Sequence, residues 1–199
     1  MAGTTPFTIG ADVSCTDGVC GKVSRLVIDP AARAITHLVV DRDYQGQLVP
    51  LGLVEAATGE IRLRCTVAEF ENLDPADKTV LQDSGDSRRD RDVLGLSRGS
   101  GVWTSSVTWD TLPFGEVAVH GGEHVHATDG EIGQVQGLVI DSGSHQVTHV
   151  LLQEGHVLGR KVVAIPIGAV TGVGENGIQL DITRQQVKDL PSGWHRSPG

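Results

Sequence analysis

The chain has 199 residues, with 16 Lys and Arg against 25 Asp and Glu, a formal charge of −9, 39% apolar residues and only 4% aromatics. That apolar content is too high for a disordered chain, and no run approaches the ~20 apolar residues of a membrane-spanning helix. Its 26 glycines follow no three-residue collagen period, and the acidic balance argues against nonspecific nucleic-acid binding.

In chain order, Met1 to Gly10 has no basic region followed by an apolar one, so no secretory signal is expected. Three cysteines are too few for a disulfide scaffold, and a cytoplasmic protein is the expectation. Phe7, after Pro6, reads as a lead-in to a first module. Runs rich in Val, Ile and Leu at 11–15, 21–29, 35–41, 47–50 and 60–65 predict short strands, punctuated by the Thr16-Asp17-Gly18 and Asp29-Pro30 turns. Thr66-Val-Ala-Glu69 is a capping box that opens a short helix with Phe70 and Leu73 on one side, and Pro75 ends it.

Residues 75–115 have a different character. The stretch 83–92 alternates charge without an apolar residue and predicts a solvated linker. Its second half carries Val102, Trp103, Trp109, Leu112 and Phe114, which are too apolar to be left exposed and are expected to lie against the module that follows.

Residues 9–40 align without a gap on 121–152 at an offset of 112, with 13 of 32 pairs identical, which makes the chain a duplication. The shared positions include Asp17, Gly18 and Gly21 with Asp129, Gly130 and Gly133, the two Leu-Val-Ile-Asp runs, and Thr36-His37 with Thr148-His149. Val49-Pro50-Leu51 and Ile165-Pro166-Ile167 follow, then Thr183-Arg-Gln-Gln186 as the second capping box. The expected organisation is a first module at 1–74, the linker at 75–115, a second module at 116–192 and a tail at 193–199. Short, evenly spaced strands with one terminal helix predict an all-β fold of two small barrels, each closed by a short helix.

Several residues have chemistry to offer. His124 and His126 fall on one face of a strand, with Glu123 pointing the other way. Imidazoles two apart on a strand can share Zn²⁺, with His149 or His145 completing a site. The first copy has Asp12 and Ser14 there, so a polar outward face is the simpler reading. His37 and His149, common to both copies, read as half-buried histidines bonded to their neighbours rather than as proton acceptors. Cys15 and Cys20 flank a turn, a placement open to a disulfide or a metal half-site. The second copy has Ala127 and Ile132 at those places, which fits two small apolar positions, and Cys65 reads as peripheral. Gly172-Val-Gly-Glu-Asn-Gly177 matches a dinucleotide-binding spacing but opens no helix, so it reads as a hairpin loop.

Taken together, the Asp-Gly-x-x-Gly turns, the Leu-Val-Ile-Asp and Thr-His strands and the Val-Pro-Leu and Ile-Pro-Ile steps resemble the PRC-barrel family, that of the cytoplasmic barrel of the photosynthetic reaction-centre H subunit. The resemblance covers about 130 of the 199 residues. It implies two PRC-type barrels, a docking or framework role, no catalytic residues and no cofactor. The expectation is therefore a noncatalytic protein-interaction or scaffold module, acting alone or as a homodimer, with no membrane insertion and no nucleic-acid partner. Its expected contact residues are Trp103 and Trp109 together with His156, Arg160 and Lys161 of the hairpin inserted in the second copy. The competing expectations are a metal- or pH-responsive barrel built on His124, His126 and His149, and a ribosome-associated factor that docks on a basic protein.

Overall fold

The computed structural model describes residues 3–43, 45–57, 60–83, 104–154, 161–174 and 177–190. A lead-in strand, β1 (Thr4–Thr8), precedes the first copy, which comprises β2 (Asp12–Ser14), β3 (Val19–Asp29), β4 (Ala34–Arg42), β5 (Gln45–Pro50), β6 (Val54–Ala57), β7 (Glu60–Leu63) and the helix α1 (Val67–Glu71). Two strands follow, β8 (Asp77–Asp83) and β9 (Thr104–Asp110). The second copy has its own lead-in, β10 (Val117–His120), then β11 (His124–Ala127), β12 (Gly130–Asp141), β13 (Val147–Glu154), β14 (Lys161–Pro166), β15 (Val170–Gly174), β16 (Gly177–Leu180) and the helix α2 (Arg184–Asp189).

The fold is all-β, with two curled seven-stranded sheets of the same order: β5-β4-β3-β2-β7-β6 and β14-β13-β12-β11-β16-β15. Their remaining strands are exchanged. β10 pairs with β3 of the first copy, and β1 pairs with β12 of the second. The expectation for Phe7 is corrected by this arrangement: it lies opposite Leu138 of the second copy, while Val119 lies opposite Leu26 of the first. The cause is an unfilled edge. β3 runs for eleven residues, but β2 pairs only with its start, at Val19 to Lys22. The backbone N–H and C=O groups beyond would otherwise lack partners, and the lead-in strand of the opposite copy supplies them.

Gly10 and Gly122, equivalent in the repeat, mark where each lead-in leaves one copy for the other. Both have positive φ, 86° and 83°, a conformation in which a side chain would be strained. Gly10 N–H still donates to Val23 O of the first sheet, and Ile9 N–H already donates to Gln136 O of the second. A local two-fold relation results. Ala34 bridges to Gln146, its own repeat counterpart, flanked by Ile35 N–H to His145 O at 3.2 Å and Val147 N–H to Arg33 O at 2.8 Å. Arg33 and His145 are both left-handed, with φ of 51° and 58°. Each turn is stabilised by an aspartate: Asp29 Oδ1 accepts from Ala31 and Ala32 N–H, and Asp141 Oδ1 from Gly143 and Ser144 N–H.

One apolar cluster runs through both copies, from Val13, Leu26, Leu38 and Phe70 to Val125, Leu138, Leu152 and Val187, and includes Phe7 at 2% exposure. Every fully buried side chain among the described residues is apolar. Both capping boxes form: Thr66 with Glu69 at α1, and Thr183 with Gln186 at α2.

The repeat aspartates and glycines have structural roles. Asp17 Oδ1 accepts from Val67 N–H at the start of α1, and Asp129 Oδ1 from Arg184 N–H at α2, each at 2.8 Å. A Cβ on Gly21 or Gly133 would run into the carbonyl oxygen of Asp41 or Gln153 on the neighbouring strand.

The stretch expected as a linker is strand at both ends, since β8 pairs with β9 from Asp77–Asp110 to Asp83–Thr104. The expectation that its second half packs on the second module is corrected: Leu112 packs with Ala76 over Val27, Val39 and Leu48 of the first copy. Arg25 holds this arrangement, donating from both terminal nitrogens to the Asp77 carboxylate. The charged stretch 84–92 and Trp103 lie outside the described residues.

Candidate functional site

The shared Thr-His pairs are built alike. Thr36 Oγ1 lies 3.0 Å from His37 Nδ1, and Thr148 Oγ1 lies 3.1 Å from His149 Nδ1. Each hydroxyl also reaches a carbonyl of the adjacent long strand, Val27 O or Val139 O. A histidine held by its own neighbour at the same place in both copies fits a part of the scaffold.

In the first copy Glu116 joins the pair. Glu116, which occupies the repeat position of Thr4, accepts from Thr36 Oγ1 at 2.7 Å and lies 3.4 Å from His37 Nδ1, with its side chain only 15% exposed. The contact fixes the turn just before β10. Glu116 N–H donates to Pro113 O at 3.1 Å, and Gly115 has φ of 87°, which together make the type II turn that glycine favours at its third position. The second position is Phe114, fully exposed. The expectation that Phe114 packs away is therefore corrected: an anchored turn points the ring into solvent, because Glu116 and Leu112 are tied to the first sheet on either side of it. Of the expected contact residues, Trp109 lies on β9 opposite Lys78 and Lys161 is exposed at the start of β14. Trp103, His156 and Arg160 fall outside the described residues.

The second copy carries its own cluster on β11. His124 and His126 face outward between the buried Val125 and Ala127, with ring centroids 6.4 Å apart. A register shift between Val125 and His126 sets Glu131 of β12 opposite His126, and Glu131 Oε1 lies 2.7 Å from His124 Nδ1. On the other side, Gln179 of β16 pairs with His126. These side chains line an open cleft of about 740 Å³ together with Glu123 and Gly177. Glu123 turns back to His120, accepting from its N–H and lying 2.9 Å from Nδ1. His149 belongs elsewhere, on β13 opposite Val139 and Pro166, and His145 sits at the two-fold turn. Neither completes a metal site with His124 and His126. No group of three His, Cys, Asp or Glu among the described residues stands ready to hold an ion.

Cys15 and Cys20 are joined as a disulfide across the Thr16 to Val19 turn, with Cα atoms 5.8 Å apart. Cys65 is not peripheral: it is 6% exposed, and its carbonyl accepts from Thr16 N–H. Burial pushes its thiol above the usual range, reinforced by the negative charges of Glu69 and Asp17, so it stays protonated. The equivalent Thr128 N–H donates to Ile182 O, which identifies Ile182 as the repeat counterpart of Cys65.

The glycine-rich run at 172–177 joins β15 to β16, a hairpin that opens no helix. No helix among the described residues is long and apolar enough to cross a membrane. Neither the protein-family models nor the curated proteins match this chain.

Proposed function

We propose that the chain is a noncatalytic interaction module, a tandem PRC-barrel protein that docks on another protein. The observation that carries this reading is Phe114, an aromatic ring fully exposed at the second position of a turn anchored on both sides. Exposed rings held in a fixed geometry lose little entropy on association, and aromatic side chains dominate interface energetics. The supporting pattern is internal: the residues common to both copies maintain turns, caps and close strand approaches, which leaves the unshared surface residues for recognition.

Phe114→Ala removes the ring without touching the core, so stability should stay within about 0.5 kcal/mol of the wild type. Affinity purification from the native host, run in parallel with both proteins, tests the proposal. A partner retained by the wild type and lost with Phe114→Ala supports it. An unchanged set of partners removes it. The Cys15–Cys20 disulfide bears on the compartment, because such bonds persist mainly where the medium is oxidising. Thiol labelling in intact cells that finds Cys15 and Cys20 reduced fits the cytoplasm, and finding them paired argues for an oxidising compartment.

A further inference from the structure

We infer that His124 and His126 form a transition-metal site, with Glu131 as the positioning residue and water filling the remaining coordination positions. The duplication acts as an internal control. The first copy builds the same strand with Asp12 and Ser14, where Asp12 pairs with Lys22 on the neighbouring strand. The fold therefore has no need of imidazoles at this position. The second copy has two, both pointing outward over an open cleft.

The geometry suits a shared ion. Imidazole nitrogens bind Zn²⁺ at about 2.0–2.1 Å, which puts the centroids of two ligating rings roughly 5 Å apart in a tetrahedral arrangement. The rings now stand 6.4 Å apart, so small side-chain rotations bring them together. Glu131 takes the role that carboxylates have behind metal-bound histidines: it lies at His124 Nδ1 and so turns Nε2 outward as the ligand. Gln179 and Glu123 make the rim of the cleft polar. A site with two protein ligands is open, and it takes a borderline ion that imidazole favours, Zn²⁺ above all, rather than Mg²⁺ or Ca²⁺, which prefer oxygen ligands.

The test uses the full chain stripped of metal and titrated with Zn²⁺ alone by isothermal calorimetry, with metal content after dialysis as a second measure. One Zn²⁺ per chain is expected. His124→Asp together with His126→Ser installs residues that the first copy already tolerates, and it should weaken binding at least tenfold while the melting temperature of the metal-free protein stays unchanged. Glu131→Gln should weaken it about 10–100-fold, again without a change in that melting temperature, and Glu131→Asp should recover part of the loss. His149→Ala should bind as the wild type does. No saturable binding, or a double variant that binds as tightly as the wild type, overturns the inference.

Discussion

Replacing Phe7 with Ala probes the strand exchange directly. Phe7 is 2% exposed, lies opposite Leu138 and belongs to the cluster shared by both copies. Truncating a buried Phe costs about 3–5 kcal/mol through lost transfer energy and the cavity left behind. For a chain of this size each kcal/mol lowers the melting temperature by about 2–4 °C, so a fall of roughly 6–20 °C is expected. Val119, its counterpart on β10, is 1% exposed, and Val119→Ala loses two methyl groups for about 2 kcal/mol. Urea unfolding followed by intrinsic fluorescence and by far-UV circular dichroism gives both the cost and the cooperativity. Because the two copies share one core and each completes the other's sheet, both variants should shift a single coincident transition. Two separate transitions, with Phe7→Ala moving only one of them, would refute the argument. A cost under about 0.5 kcal/mol for both variants would do the same.

Other consequences can be measured independently. Gly122→Ala has open space around its new methyl group but must adopt φ of 83°, so it should cost about 1–2 kcal/mol; Gly168→Ala, with open space and no such φ, should be neutral or slightly stabilising in the same urea assay. Reducing the Cys15–Cys20 bond opens a loop of sequence separation 5, which the chain-entropy relation values at about 2 kcal/mol; melting with and without reductant, using a Cys15→Ala and Cys20→Ile double variant as control, checks it. Hydrogen bonds from Thr66 hold the Glu69 carboxyl below its ordinary 4.5, and those from Ser144 and Gly143 hold Asp141 below 3.8. Depressed folded-state values stabilise the protein above the ordinary carboxylate range, and that contribution disappears as pH falls through the lowered values. Stability should therefore decline below about pH 4, and Glu69→Gln with Asp141→Asn should flatten that acid limb; an unchanged limb would contradict it.

What could be read in the sequence was local. The Thr-Asp-Gly turns, the aspartates after Leu-Val-Ile and both capping boxes involve partners close in sequence or fixed by the repeat. The exchange of β1 and β10 was not legible, because the two copies offer nearly identical edges and a strand's choice between them is decided by long-range geometry. The clue was the glycine common to both lead-ins, Gly10 and Gly122, whose positive φ turns the chain away. β8 and β9 were hidden by the charged stretch between them, although Thr79-Val-Leu81 and Val107-Thr-Trp109 have the β-branched and aromatic content of strands. Leu112-Pro-Phe-Gly115 has the glycine of a type II turn, but hydrophobicity alone suggested burial for Phe114. At the His124 site the histidine pair was visible from its spacing. Glu131 was not, since it comes opposite only through the register shift in β12.

The crossing of the lead-in strands also sets an order of events at the ribosome. β1 emerges ahead of both copies, yet its partner Leu138 is synthesised 131 residues after Phe7. At about 5–20 residues per second that is a delay of roughly 7–26 s. Until residues 117–120 are made, the first copy has its own sheet but not β10, so the Arg25 to Ile28 edge of β3 stays open. A strand made ahead of both copies is therefore among the last to find its place, and a nascent chain stalled before β10 would present an unpaired strand edge to its surroundings.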